Sequence, residues 1–213
     1  MIKNKNKIWI LIILIISYFS LKYYIPYGNY IIYPINLFVT FLHEFWHAFF
    51  AIITGWSVHW LVVNSDWSWV TTTSWWIRNL VVSGWYLGSA LFGNILLYIW
   101  IKKQKYSEKI LYFLSFLMLL VAIFWFNWII SSLIIIILAL GIFILAKYSK
   151  YDSLILQFLG VSSILFIIED FNVWPSSDLE KFSWILPVSV WMIVWLVIVI
   201  LISLYNLRFI LKK

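Results

Sequence analysis

What most constrains this chain is a series of apolar runs too long to hide inside a water-soluble fold of its size. They occupy residues 8–25, 31–53, 80–101, 110–146, 151–168 and 184–207, with charges clustered mainly between them. A helix crossing a bilayer takes about 20 predominantly apolar residues, so every run is long enough to cross. The 213 residues are 65% apolar and 11% charged, whereas a soluble domain runs near a quarter charged. The chain therefore reads as an all-α polytopic membrane protein, and soluble globular, disordered, coiled-coil and disulfide-scaffold classes are excluded. The 22% aromatic share fits, because amphipathic rings favour membrane interfaces. The absence of Cys removes disulfides, thiolate chemistry and Cys-containing zinc knuckles. The formal net charge of +7 sits in short Lys clusters between apolar runs, the pattern that orients membrane proteins. No nucleic-acid partner is expected; the bilayer is.

The first run follows Lys3, Lys5 and Lys7 and has the outline of a signal peptide. Tyr23, Tyr24 and Pro26 stand where a small-residue cleavage site belongs, so it reads as a retained anchor helix. The run 110–146 would make a helix of roughly 55 Å, nearly twice a ~30 Å hydrocarbon core. Two helices turning near Asn127 fit better, giving about seven transmembrane helices. Residues 54–77 are different in kind: rich in Trp, Val and Thr, with Asn64-Ser65-Asp66 in the middle. Beta-branched and aromatic residues around such a turn predict a small β-hairpin. Its edges need protein or water to meet them, so it should be tucked against the helices. The chain reads as one domain over 1–213, with 1–28 as an N-terminal anchor helix and 29–207 as the core.

Within the second run stands Phe41-Leu42-His43-Glu44-Phe45-Trp46-His47-Ala48. His43 and His47 are four apart, so on a helix both leave one face and can hold one metal ion. Glu44 follows the first His, where it can reach a water at the metal without being a ligand. Such a carboxylate can take the water's proton and pass it to a leaving amine. Three ionisable groups in five residues of a span are costly and mark function by default; polar contacts between helices are the plainer alternative.

A catalytic zinc takes three protein ligands and keeps one position open, so two His are not enough. The remaining His, His59, lies in the predicted hairpin between Trp56 and Trp60 and reads as interfacial rather than as a ligand. Counting spans places the end after His47 on the same membrane side as the loop 169–183. Glu108 and Asp152 fall on the other side, and Asp66 is explained by its turn. Glu169, Asp170, Asp178 and Glu180 stay open as the third ligand.

These residues resemble the site-2-protease-type intramembrane zinc metalloproteases, in particular the small single-domain bacterial branch that includes the sporulation factor protease. FLHEFWHAFFAIITG looks like the active-site helix of that branch, residues 56–73 like its membrane-associated hairpin, and VVSGWYLGSALFGNILLYI like its next helix. Ser176-Ser177-Asp178, followed by Leu186-Pro187 and Trp191, resembles its late Ser-Asp motif and final helix. The resemblance covers roughly 37–202. It implies a membrane-embedded zinc metalloprotease, with Zn2+ held by His43, His47 and Asp178, Glu44 as base, and a membrane protein or peptide as substrate in the prokaryotic cell membrane. Two departures stand out. Trp46 occupies the place before the second His where the family commonly has Gly, and the Asn-Pro-Asp-Gly or Leu-Asp-Gly ligand motif of larger members is missing.

Gly84 and Gly88, continued by Ser89 and Gly93, give small-residue spacing that lets helices approach closely. Asn94 in the same span needs a partner. It reads as a helix–helix hydrogen bond, with a second role as oxyanion donor or orienter of a zinc ligand kept open. Ten Lys and Arg (Lys22, Lys102, Lys103, Lys105, Lys109, Lys147, Lys150, Arg208, Lys212, Lys213) fall on the side away from the site. Five (Lys3, Lys5, Lys7, Arg78, Lys181) fall on the site side. That excess predicts a cytoplasmic side opposite the site, whereas the resemblance implies zinc toward the cytosolic leaflet. Two other classes are weighed against the protease: a catalytically inactive membrane scaffold of the same fold, and a metal-handling or transport protein.

Overall fold

A computed structural model describes residues 4–65, 69–73, 78–125, 128–171, 178, 180–182 and 186–211. Helices α1 (Asn4–Tyr23), α2 (Gly28–Ile53), α3 (Arg78–Lys102), α4 (Ser107–Phe124), α5 (Ile129–Tyr148), α6 (Asp152–Glu169) and α7 (Val188–Leu211) carry the fold. Strands β1 (Val58–Val63) and β2 (Trp69–Thr73) intervene between α2 and α3. Six helices, α2 to α7, are long and apolar enough to cross a membrane, and α1 has the 20 residues of a span. The protein is an integral membrane protein of the all-helical class with one small hairpin.

The run 110–146 breaks as its length requires: α4 ends at Phe124 and α5 begins at Ile129. The expected turn residue Asn127 lies outside the described residues. The two helices pack together, with Ser115 Oγ donating to the Ala139 carbonyl at 2.7 Å. Helix α5 is inside-out by soluble standards. It buries Ser131, Ser132 and Ala139 and exposes Ile130, Ile137 and Ile144, as a helix does when its solvent is hydrocarbon.

Small residues set the close contacts. A Cβ on Gly93 would come within 2.7 Å of the Gly160 carbonyl, and one on Gly160 within 2.9 Å of the Gly93 carbonyl, so α3 and α6 meet backbone to backbone. Gly84 and Gly88 serve α2 instead. A Cβ at Gly88 would overlap the Trp46 indole, and one at Gly84 the Phe50 ring. Trp46 thus fits beside α3 because Gly88 leaves it a slot.

The hairpin pairs antiparallel from Val58 with Thr73 to Val63 with Trp69, with an irregularity between Val58 and Trp60. It is tucked against the helices, as its backbone demanded. Leu61 and Val63 are buried, and Val63 N–H donates to Ser131 Oγ at 2.8 Å. Thr71 Oγ1 donates to the Glu44 carbonyl at 3.1 Å, and the Tyr33 hydroxyl to the Ser65 carbonyl at 2.8 Å. Asp66 lies outside the described residues.

One expectation is corrected. Strict alternation of spans put Lys22 at the end away from the site and Lys7 with the site. Instead Lys22 forms an ion pair with Glu169, at the C-terminal end of α6, and Lys7 donates to the Ile101 carbonyl at the far end of α3. The pairing decides otherwise, because it gives the Glu169 carboxylate, only 11% exposed, a counter-charge at its own end of the bundle. Lys7 and Lys22 thus exchange ends relative to the count.

Candidate metal centre

Helix α2 turns His43, Glu44 and His47 inward, with residue exposures of 2%, 1% and 8%. One ligand atom from each can be chosen so that all lie within 4.8 Å. The Asp178 side chain, 9% exposed, enters from the segment between α6 and α7. Its Oδ2 lies 2.9 Å from His43 Nε2 and 2.9 Å from His47 Nε2, and the two Nε2 atoms are 2.9 Å apart. Glu44 Oε1 stands 3.7 Å from His43 Nε2, and Glu44 Oε2 is buried with no hydrogen-bond partner among the described residues.

This triangle fits a cation. Each Nε2 carries one hydrogen at most, so protons can bridge two of its three edges and leave like groups facing across the third. A positive ion among the three atoms satisfies all of them at once. Two imidazoles and a carboxylate are also the donors that zinc accepts. The other nitrogen of His47 supports this: Nδ1 donates to the Val81 carbonyl at 2.9 Å. A carbonyl accepts only from an N–H, so in the neutral ring the lone pair sits on Nε2 and faces the cluster. The His43 ring stacks on Trp85, centroids 4.2 Å apart, with Trp85 fully buried. Burial pushes the Asp178 carboxyl up, but the neighbouring His47 and the hydrogen bond with His43 outweigh this and hold it well below the usual carboxylate range.

The Peptidase M50B-like family matches residues 6–209. The chain belongs to that family. No curated protein and no solved structure matches it.

In this M50B-like chain the structure separates the acidic candidates by what each already holds. Glu169 accepts from Lys22, from the Tyr18 hydroxyl at 3.1 Å and from the Tyr23 hydroxyl at 3.4 Å. Asp170 accepts from the Tyr86 hydroxyl at 3.1 Å. Burial pushes Asp170 up to about 8. Glu180 is exposed. Of the four, Asp178 is the one placed against both imidazoles; Ser176 and Ser177 beside it in the sequence lie outside the described residues. Asn94 is occupied elsewhere. Its amide donates to the Ala90 carbonyl at 2.8 Å and to Ser203 Oγ at 3.3 Å, and its Oδ1 accepts from Asn206 Nδ2 at 3.0 Å. It ties α3 to α7, which is the helix–helix reading of that residue. His59 is exposed in the hairpin.

Three contributors escaped the sequence. The Val81 carbonyl is backbone, so no residue type announces it. Trp85 is one of sixteen Trp and nothing marks it out. Lys181 touches Asp178 and carried a signal, its spacing of three from an acidic candidate.

Proposed function

We propose that this protein is a zinc-dependent intramembrane endopeptidase that hydrolyses peptide bonds of membrane-associated substrates. The observation that carries the reading is the convergence of His43 and His47 with Asp178, which stands 131 residues after His47, beside a buried carboxylate with one oxygen unpartnered among the described residues. His43, His47 and Asp178 would hold the ion. When bound there, zinc would supply Lewis acidity, polarising a scissile carbonyl and acidifying a water.

The chain's own residues do the rest. Glu44, not counted among the ligands, takes a proton from the attacking water and delivers it to the leaving amide nitrogen as the C–N bond breaks. Trp85 and the Val81 carbonyl fix the two imidazoles, so the donors are organised before substrate arrives. A helical substrate hides its scissile amide in its own hydrogen bonds. The edge of the hairpin gives an unwound segment a strand to pair with, and Thr71 ties that hairpin to the backbone of Glu44.

The test is cleavage of a membrane peptide in proteoliposomes. Glu44→Gln should keep its zinc and lose activity by about 10²–10⁴-fold. Full activity in that variant would exclude Glu44 as base. Metal flux across the same vesicles, indifferent to Glu44→Gln, would favour the transport reading instead.

A further inference from the structure

Asp178 reaches the cluster from a connecting segment and not from a span, so whatever holds its carboxylate decides whether the third donor stays in place. Its two oxygens have different partners. Oδ2 faces both imidazoles, whereas Oδ1 accepts a hydrogen bond from Lys181 Nζ at 2.6 Å. The pair spans three residues and leads into the 3-10 turn Glu180–Phe182. The Lys181 side chain is 31% exposed and that of Asp178 only 9%. Surface ion pairs contribute little, but this one grips a carboxylate that is already desolvated and aimed at two histidines.

A carboxylate that turns both oxygens to one ion takes two coordination positions, and a catalytic zinc needs one left over for water. We infer that Lys181 is a positioning residue: by occupying Oδ1 it makes Asp178 a one-oxygen ligand and keeps the water position open. The inference rests on the metalloprotease reading and adds to it the residue that sets the denticity of the third ligand.

The experiment is a titration of the full-length, metal-stripped protein in detergent with Co2+ and Zn2+, comparing wild type with Lys181→Met, Lys181→Gln and Lys181→Arg. Low-coordinate cobalt absorbs strongly in the visible, and the band weakens as coordination number rises. The neutral variants should lose much of that absorption, while Lys181→Arg retains the wild-type band. Two neutral variants guard against a folding failure in either. Wild-type absorption in Lys181→Met and Lys181→Gln would overturn the role of Lys181 and leave the metal site standing. A wild type that binds neither metal would remove the metalloprotease reading, and this inference with it.

Discussion

At the scale of single residues, the site distinguishes groups of the same type by their surroundings. Asp170 and Asp178 are both acidic, both shielded, and both near the C-terminal end of α6. One accepts from Tyr86 and the other faces two imidazoles. Substituting each by Ala therefore separates them. Asp178→Ala should lose bound zinc, and Asp170→Ala should retain it, as metal analysis of the purified proteins would show. The reverse result would move the third ligand to Asp170. The His-Glu-His half of this site was legible in the sequence because α-helical spacing converts i and i+4 into one face. The other half was narrowed to four acids by counting spans, and family resemblance pointed to Asp178. Sequence could not show how the four differ, since that depends on which hydroxyl or ammonium lies opposite each.

At the scale of elements, the α2–α3 contact shows a bulky residue accommodated by its neighbour. Gly88 leaves room for the Trp46 indole, and Gly84 for Phe50. Gly88→Val should therefore overpack the contact and cost about 1–3 kcal/mol. Adding Trp46→Ala should recover much of that loss, giving a coupling that unfolding in detergent can measure. Strict additivity would show that the two side chains do not share the slot. The small-residue spacing in α3 was readable in advance, as was the hairpin, from β-branched and aromatic residues on either side of an Asn-Ser-Asp turn. Which helix would fill the slot was not, because GxxxG names a surface and not its partner.

At the scale of the whole molecule, the anchor helix is fastened at both ends. Lys7 meets the Ile101 carbonyl, and Lys22 meets Glu169 with Tyr18 and Tyr23 around it. Glu169→Gln should lower stability by about 1.5–3 kcal/mol, the scale of a hydrogen bond to a charged group, and leave zinc content unchanged. Thermal unfolding and metal analysis on one preparation would check both. Zinc lost along with stability would mean that the α1 junction also supports the metal centre. The helices themselves were legible because charges and run length bound them. The direction of α1 was not, since a count of crossings does not show which side chains meet at each end.

The distance along the chain between the clustered histidines and Asp178 has a consequence for how the protein is made. His47 and Asp178 are 131 residues apart, and a ribosome adds about 5–20 residues per second. The helix bearing His43, Glu44 and His47 is thus synthesised roughly ten seconds before Asp178 exists. Throughout that interval the nascent chain has an incomplete cage, so an unfinished or truncated product cannot assemble the full centre. Completion of the segment that carries Asp178 acts as a built-in delay on assembly of the full cluster inside the membrane.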